Sequence, residues 1–312
     1  MKAAIVGSGL IGRAWAMVFA RGGAEVALWD QDLPQVERAG SAIAVALKDM
    51  AEAGLIENPE QVLKLIKPAG TLAAALDGAR HVQENIVEMA APKQTLFAEM
   101  EKHADAETVL ASSTSAIMPS ILFSQLNTRH RCLVAHPMNP PHLAAIVELC
   151  GGSFTAPEAI TRTETFMVSC GMAPIVVKKE IEGFILNRLQ LALFNEAFRL
   201  ISQGYVSTGD LDKTLTEGLA LRWSFMGPIE TMDLNAPDGV ADYMTRYGAT
   251  IRRVGQSLAD VANWPSDMGE RLDAERRKVV PREGLAAAQV WRDRRLMALA
   301  AHKRDMEKKF RK

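Results

Sequence analysis

The first 30 residues constrain the fold more strongly than any other part of the chain. They read MKAAIVGSGLIGRAWAMVFARGGAEVALWD, which is an apolar run, a G-x-G-x-x-G turn, a helical pattern and a second apolar run. Gly7 permits a tight turn, Gly9 lets the backbone approach a pyrophosphate, and Gly12 lets the helix pack closely against the strand. The backbone N–H groups of Leu10 and Ile11 open the helix and would face the phosphate charge. This order of elements predicts a dinucleotide-binding unit.

An acidic residue ends the second apolar run. Asp30 follows Gly12 by 18 residues, close to the spacing of an acid that binds a ribose 2′-hydroxyl. Its carboxylate would accept a hydrogen bond from that hydroxyl and would repel a 2′-phosphate. The next residues are Gln31 and Asp32, so no arginine directly follows the acid. NAD is therefore expected rather than NADP. FAD shares the glycine motif, but nothing else in the chain indicates a flavin.

The rest of the first half alternates short apolar runs with helical patterns. Further strands are expected at HVQENIV, TVLASS, RCLVAH, AIVEL and PIVVK, whereas residues 35–67 read as helices broken near AGLIENPE. This alternation predicts an α/β domain of the Rossmann type, a doubly wound and mostly parallel sheet with helices on both faces.

Beyond PIVVKKE the pattern becomes helical. GFILNRLQLALFNEAFRLISQG reads as one long helix bounded by Gly183 and Gly204, and its apolar stripe begins with an amide, Asn187. We therefore predict two domains, an NAD-binding Rossmann domain over 1–180 and a smaller all-helical domain over 181–312.

Composition is that of an ordinary globular protein. The 312 residues are 48% hydrophobic and 23% charged, and the formal net charge of -1 gives no indication of nucleic-acid binding. The longest uncharged run, 108–128, holds too many polar residues for a membrane span. Cys132, Cys150 and Cys170 lie in apolar surroundings without metal-ligand spacing. They favour a reducing cytoplasm over a disulfide framework, and no metal site is expected.

The C-terminal segment 282–312 is basic, with ten Lys or Arg and four Asp or Glu residues. The stretch AAAQVWRDRRLMALAAHKR predicts a terminal helix with a solvated charged face and with Trp291, Leu296 and Leu299 packed inward. Attraction of an anionic ligand, such as the phosphates of CoA, is the alternative.

A histidine and a glutamate lie in two consecutive strand candidates, RCLVAH and AIVEL. Glu148 is costly to bury without a partner, and His136 is the nearest candidate. Oxidation of an alcohol needs a base for the hydroxyl proton, and a histidine suits this near neutral pH. Glu148 would orient the imidazole, and Ser115 and Asn187 would hydrogen-bond the reacting oxygen. From these residues alone, a core histidine and a solvent-facing glutamate remain alternatives.

Four motifs, NIVEMAAPK, ASSTS, HPMNPP with the following IVEL, and GFILNRL, resemble those of the 3-hydroxyacyl-CoA dehydrogenase family in the same order. The resemblance runs over residues 2–247. Within the family the chain is similar to the branch containing λ-crystallin and L-gulonate 3-dehydrogenase, especially in VAHPMNPP and GLALRWSFMGPIETM. The resemblance implies that His136 and Glu148 are a catalytic dyad and that Ser115 and Asn187 belong to the same site.

The same resemblance implies two further features. Glu88 and Lys93, in NIVEMAAPK, match a Glu and a Lys that the family uses near the nicotinamide ribose. The helical domain resembles the family's dimerisation domain, so a homodimer through this domain is expected by analogy.

Arg222, in GLALRWSFMGP, bears on the substrate. Acyl-CoA enzymes of the family carry small or apolar residues near this place, whereas the gulonate branch resembles this chain in having an arginine. A guanidinium matches a carboxylate bidentately, so Arg222 is a hypothetical clamp for a small 3-hydroxy acid. A surface arginine paired with Glu230 or Asp212 is the alternative.

Several functions remain open at this point. L-Gulonate is the leading substrate, but L-carnitine is also a 3-hydroxy carboxylate, and a short-chain L-3-hydroxyacyl-CoA would need the same chemistry. A non-catalytic NAD-binding or structural protein is a further alternative. The presence of all four dyad and oxygen-binding candidates disfavours it.

Overall fold

The computed structural model describes residues 1–259 and 265–310. Its centre is one sheet with strand order β3-β2-β1-β4-β5-β6-β7-β8. The strands are β1 Lys2–Val6, β2 Glu25–Trp29, β3 Ile66–Pro68, β4 His81–Glu84, β5 Val109–Ser112, β6 Cys132–Pro137, β7 Ile146–Gly151 and β8 Ala173–Val177. The predicted α/β class and the strands expected from the sequence are confirmed. Strand β3 was missed, because its segment reads as helical in the sequence.

Neighbouring strands are parallel except at one place. Strands β6 and β7 are antiparallel, since the short connection between them is long enough for a hairpin and too short for a helical crossover. The pairing sets His136 directly opposite Glu148. Residues directly opposite in a ladder have adjacent side chains on one face of the sheet. The hairpin therefore brings together two residues that are 12 positions apart.

Helices cover both faces of the sheet. Along β1 the side chains of Ala3 and Ile5 join one buried apolar cluster, and those of Ala4 and Val6 join another, as the two-residue period of a strand requires. The largest fully buried side chains include Trp15 in the first cluster. The helices of this part are α1 Leu10–Arg21, α2 Leu33–Glu52, α3 Pro59–Lys64, α4 Leu72–Leu76, α5 Ala90–His103, α6 Pro119–Phe123 and α7 Pro157–Ser169.

The C-terminal part is helical, as the sequence indicates. The long helix predicted between Gly183 and Gly204 is present as α8 Leu186–Ser202, and both flanking glycines have positive φ. The remaining helices are α9 Thr208–Thr214, α10 Ala220–Trp223, α11 Pro228–Leu234, α12 Gly239–Ser257, α13 Met268–Val279 and α14 Leu285–Lys309. None of the described helices combines the length and the apolar character needed to cross a bilayer.

The chain divides into two compact units. One comprises Met1–Arg188 together with Trp291–Lys312, and the other comprises Leu189–Val290. These units differ from the division at 180 predicted above, because α8 starts within the first unit and the end of α14 returns to it. The division at 180 marks a change in the sequence pattern, whereas the compact units are defined by which residues pack together.

The inward face of α14 differs from the expectation. Trp291 is 62% exposed and Leu299 is 47% exposed, whereas Met297 is buried in the apolar cluster that contains Trp15. The guanidinium of Arg304 donates a hydrogen bond to the carbonyl oxygen of Gly54 at 2.8 Å. Helix α14 is therefore rotated about its axis relative to the predicted orientation, and its basic residue Arg304 contacts Gly54 of the same compact unit.

Candidate active site

The glycine turn between β1 and α1 has the geometry that a bound dinucleotide requires. Gly7 has φ +92°, and a β-carbon there would lie 2.9 Å from the carbonyl carbon of Asn85. A β-carbon on Gly12 would lie 1.8 Å from the carbonyl oxygen of Gly7. A β-carbon on Gly9, in contrast, would meet nothing within 4 Å. Two glycines thus permit close backbone packing, and the third leaves open space beside the turn for a ligand.

The start of α1 offers free donors beside that open space. Gly9 precedes the helix, no side chain caps it, and the first turn contains no acidic residue. The N–H groups of Leu10 and Ile11 are among the first N–H groups of a helix, which have no intrahelical partner, and the helix dipole favours an anion there. These residues fit the pyrophosphate of a dinucleotide.

Asp30 lies at the end of β2 and contacts the same turn. Its Oδ2 accepts hydrogen bonds from the backbone N–H of Ser8 at 2.7 Å and from the Ser8 hydroxyl at 2.9 Å. Its Oδ1 accepts from the backbone N–H of Asp32 at 3.0 Å. Ser8 was not singled out from the sequence. These bonds fix the carboxylate next to the glycine turn, where an acid that reads the adenosine ribose is needed.

His136 and Glu148 form a buried pair. Nδ1 of His136 lies 2.7 Å from Oε2 of Glu148, and both side chains are almost completely excluded from solvent. The other carboxylate oxygen, Oε1, accepts the backbone N–H groups of Ile185 at 2.8 Å and Leu186 at 2.9 Å. The carboxylate therefore has three donors, one from the imidazole and two from the segment that begins α8.

The ionisation of this pair follows from its hydrogen bonds. Burial alone raises the pKa of Glu148, but the bonds from His136 and from the N–H groups of Leu186 and Ile185 outweigh it and hold that pKa below its usual value. An ionised Glu148 accepts, so Nδ1 of His136 carries the proton, and Nε2 is left as the basic nitrogen. Nε2 makes no hydrogen bond to any residue that the structure describes. The imidazole is thus oriented, with one nitrogen available to a ligand.

Ser115, Asn187 and Glu88 are linked to one another. Oε1 of Glu88 accepts from the backbone N–H of Ser115 at 2.7 Å and from the hydroxyl of Thr114 at 2.6 Å. The amide Nδ2 of Asn187 donates to the carbonyl oxygen of Ser115 at 2.7 Å. Asn187 is on α8 only one residue beyond Leu186, whose N–H contacts the dyad. The predicted oxygen-binding residues therefore lie on the segments that hold Glu88 and Glu148.

Lys93 is paired with a carboxylate that the sequence analysis missed. Its Nζ lies 2.7 Å from Oε1 of Glu84 and 3.5 Å from Oε2 of Glu88, and the side chain is 1% exposed. Glu84 ends β4, is fully buried and also accepts the hydroxyl of Ser112 at 2.6 Å. Burial raises the pKa of Glu84, and the ammonium of Lys93 opposes that rise. A charged residue inside the apolar run HVQENIV was the signal that could have identified it.

Arg222 belongs to the other compact unit, Leu189–Val290. It lies on the short helix α10, and its Nε is buried without a hydrogen-bond partner among the described residues. Residues 1–259 and 265–310 contain no cluster of three His, Cys, Asp or Glu residues that could hold a metal ion.

Two family models cover most of the chain. The NAD binding domain of 3-hydroxyacyl-CoA dehydrogenase matches residues 2–181, and the C-terminal domain of 3-hydroxyacyl-CoA dehydrogenase matches residues 183–276. The λ-crystallin homolog of Rattus norvegicus is 41% identical over 308 residues, which are 97% of this chain and 96% of that protein. The L-carnitine dehydrogenase of Pseudomonas putida is 35% identical over 251 residues, 80% of this chain and 77% of the relative.

A solved structure extends the likeness to the fold of the whole chain. The 5-formyl-3-hydroxy-2-methylpyridine 4-carboxylic acid 5-dehydrogenase, described as an NAD⁺-dependent dismutase, superposes with a TM-score of 0.83 at 26% identity. The superposition covers 96% of each chain.

Proposed function

The chain belongs to the 3-hydroxyacyl-CoA dehydrogenase family, and from this premise we propose that it oxidises the 3-hydroxyl group of a small L-3-hydroxy carboxylate. It is an NAD-dependent dehydrogenase that acts on a CH–OH group. L-Gulonate is the leading substrate, because the chain is most similar to the λ-crystallin branch among the relatives given above. The observation that carries the proposal is the buried His136–Glu148 pair, whose Nε2 is available to a substrate.

The dyad supplies the acid–base part of the reaction. As the substrate carbon loses its hydride, the hydroxyl proton passes to Nε2 of His136, the O–H bond breaks and a C=O bond forms. The imidazole then carries a positive charge, which the ionised Glu148 stabilises through Nδ1 at 2.7 Å. NAD, when bound, supplies the hydride acceptor. In the reverse direction the same imidazolium returns the proton to the oxygen.

Two residues are proposed to bind the reacting oxygen. Ser115 is exposed, and within the described residues its hydroxyl makes no hydrogen bond, so it can donate one to a ligand. Asn187 uses its Nδ2 on the Ser115 carbonyl, which leaves one further amide proton and Oδ1. Hydrogen bonds to the reacting oxygen strengthen as negative charge develops on it, which favours proton and hydride loss.

NAD is assigned to the glycine turn and to the edge that carries Glu88. Gly7, Gly9 and Gly12 leave the backbone free to approach the pyrophosphate, and Asp30 reads the adenosine ribose. Glu88 and Lys93 would hold the nicotinamide ribose. They lie 3.5 Å apart, so that the ammonium orients the carboxylate.

Arg222 is proposed to bind the substrate carboxylate. A half-buried guanidinium whose Nε has no partner in the described structure is unfavourable unless an anion completes its hydrogen bonds. The names of two relatives support an anionic substrate: L-carnitine carries a carboxylate, and the pyridine substrate of the solved structure is a carboxylic acid. Carnitine is the second candidate for the same reason. A thioester of CoA has no carboxylate for Arg222.

The proposal is tested by the rate of NAD reduction with L-gulonate, L-carnitine, L-3-hydroxybutyrate and L-3-hydroxybutyryl-CoA. We expect turnover of a free acid. Arg222→Ala should lower kcat/KM for it about 10²-fold, the effect of losing a charged bidentate pair. Arg222→Lys is the matched control. It keeps the charge without the fork and should lose about 10-fold.

Preference for the thioester, with equal rates in wild type and Arg222→Ala, would contradict the carboxylate clamp and favour the acyl-CoA alternative. NAD binding without turnover of any of the four compounds would favour a non-catalytic protein.

A homodimer through the compact unit Leu189–Val290, called the helical unit below, is also proposed. Among its described residues, four are buried, Ala197, Thr231, Gly248 and Met268. Burial of the two apolar side chains among them, those of Ala197 and Met268, stabilises the fold far too little to offset the conformational entropy of about 100 ordered residues. The unit therefore needs a partner surface, and a second copy of the chain is the partner that the family analogy supports.

The cytoplasm is the proposed location. Cys132, Cys150 and Cys170 are free and buried. Burial raises the pKa of Cys132 and Cys150 to about 12, so these thiols stay protonated and unreactive. Unpaired thiols of this kind fit a reducing compartment.

A further inference from the structure

The segment that leads into α8 has an unusual backbone. Gly183 has φ +76° and the next residue, Phe184, has φ +50°. Phe184 is the one non-glycine residue with positive φ in the described part of the chain, and its side chain is 0% exposed. A bulky side chain in the left-handed region is strained, and such strain persists when the surrounding structure holds it in place.

The consequence of this backbone is visible one residue later. The N–H groups of Ile185 and Leu186 both reach Oε1 of Glu148, at 2.8 and 2.9 Å. Because the chain reverses its handedness at Gly183 and Phe184, the first N–H groups at the start of α8 face the carboxylate. Glu148 would otherwise be a fully buried carboxylate with the imidazole as its one donor.

The side chain of Phe184 contacts the other member of the dyad. Its ring centroid lies 5.6 Å from that of His136, with an interplanar angle of 40°. This distance is within the range of favourable ring contacts. Phe184 therefore packs beside the imidazole, whereas its backbone directs donors to the carboxylate that orients the imidazole.

We propose that Phe184 is a positioning residue for the dyad: its left-handed backbone aims the N–H groups of Ile185 and Leu186 at Glu148, and its ring confines His136. The inference rests on the proposed function, in which His136 is the base. It adds to that function a role for the backbone conformation of Phe184 in the acid–base chemistry, beyond the burial of its side chain.

The electrostatics of Glu148 support this role. Its pKa depends on its burial and on its neighbours, which are the imidazole of His136 and the backbone N–H groups of Ile185 and Leu186. Burial raises this pKa and the three hydrogen bonds lower it. Displacement of the N–H groups would remove two of the four effects that lower the pKa of Glu148, so this pKa would rise. The carboxylate would then be protonated at a higher pH, and below that pH it would no longer stabilise an imidazolium.

The first test compares two isomeric substitutions, Phe184→Leu and Phe184→Ile. They have equal volume and apolar character, but a β-branched side chain tolerates a positive φ least. We expect the pKa of the Glu148 carboxyl, measured by ¹³C NMR with Glu148→Gln as the assignment control, to be about 1 unit higher in Phe184→Ile. In Phe184→Leu it should stay near the wild-type value. Equal values in the two variants would overturn the backbone role.

A second pair removes an N–H group without touching Phe184. Proline is tolerated at the first position of a helix, which Leu186 occupies in α8. Leu186→Pro deletes the N–H that donates to Glu148, whereas Leu186→Ala keeps it. A smaller rise in the pKa of Glu148 is expected for the proline variant and not for the alanine variant, because one of the two N–H donors is lost, and its absence would overturn the inference even if Phe184→Ile fails to fold.

Kinetics supply the functional readout. The acid limb of kcat/KM that reports protonation of Glu148 should move to higher pH in Phe184→Ile and Leu186→Pro, with KM for NAD unchanged within about 2-fold. A merely structural role would lower the melting temperature of the variants without moving that limb. The NMR measurement needs no substrate, so an inactive wild type would contradict the proposed function and leave the test of Phe184 intact.

Discussion

Glu148 and Glu84 are two fully buried carboxylates with different surroundings. Glu148 faces an imidazole that can gain and lose a proton, and its pKa is lowered by hydrogen bonds that outweigh burial. Glu84 faces the amino group of Lys93 at 2.7 Å, and burial raises the pKa of Glu84. The first arrangement suits proton transfer, because an imidazole nitrogen can both accept and donate a proton. The second suits the rigid placement of Lys93 beside Glu88.

The three glycines of the turn have separable roles, which single substitutions can distinguish. Gly12→Ala would set a β-carbon 1.8 Å from the Gly7 carbonyl oxygen, so we expect a loss of about 3 kcal/mol of stability from overpacking. Gly9→Ala meets no protein atom within 4 Å and should fold normally, but its methyl group occupies the space assigned to the pyrophosphate. We expect about 10-fold or greater weakening of NAD binding.

Urea unfolding and calorimetric titration with NAD measure these two effects. Gly40→Ala, within α2 and with no atom within 4 Å of the new β-carbon, is the matched control. It should gain about 0.5–1 kcal/mol from helix propensity and leave NAD binding unchanged. Native NAD affinity in Gly9→Ala would show that the pyrophosphate does not lie beside this turn.

At the level of residues, the sequence predicts those parts of the site that motifs encode. His136 and Glu148 were predicted as partners, and the structure brings them within hydrogen-bond distance. Glu84 was missed although the same reasoning applies to it, since a charge in an apolar strand needs a buried partner. The donors from Ile185 and Leu186 could not be predicted, because backbone N–H groups carry no sequence signal and depend on the conformation at Phe184.

At the level of elements, α12 carries an exposed apolar stripe. Its members recur at alternating spacings of four and three residues, the pattern of a helix–helix seam. All are between 38% and 48% exposed, so none of the described residues covers them fully. They are Val240, Met244, Tyr247, Ile251 and Val254, and Leu258 follows the helix in the same register. We assign the proposed homodimer to this stripe, because it presents a continuous apolar seam along α12.

The proposed homodimer predicts that this stripe is buried between two copies. The wild type should have a mass of about 68 kDa in solution, twice the 34.0 kDa chain, by light scattering. Ile251→Asp places a charge in the seam and should shift the mass to that of one chain at micromolar concentration. Ala249→Asp, on the opposite face of α12, is the control and should remain dimeric. A wild type of 34.0 kDa, or a dimeric Ile251→Asp, would contradict this surface.

Elements with a strong period were predicted, and those that depend on tertiary contacts were not. The long helix α8 and the strands β1, β2, β4 and β5–β8 follow from their apolar patterns. Strand β3 has three residues, one of them proline, and forms at the sheet edge by pairing with β2. The inward face of α14 was misjudged because its apolar residues are spread around the helix, so packing of Met297 decides its rotation.

At the level of the whole molecule, the chemistry and the substrate selection are assigned to different parts of the chain. The proposed dyad, the proposed oxygen-binding residues and the proposed cofactor residues all belong to the unit that contains Met1–Arg188. The proposed carboxylate clamp and the proposed dimer surface belong to Leu189–Val290. We propose that this division lets one reaction serve different substrates, since one relative is named for L-carnitine and the family for 3-hydroxyacyl-CoA. It also predicts that changes at Arg222 alter substrate choice without altering NAD binding.

The measurement that tests the central claim most directly is the initial rate of NAD reduction with L-gulonate in wild type and His136→Gln, together with the Kd for NAD. We predict that the variant loses about 10²–10⁴-fold in kcat, the range expected for a lost general base, while the Kd changes less than about 2-fold. His136→Gln with near-native turnover would contradict the assignment of the dyad as the catalytic base.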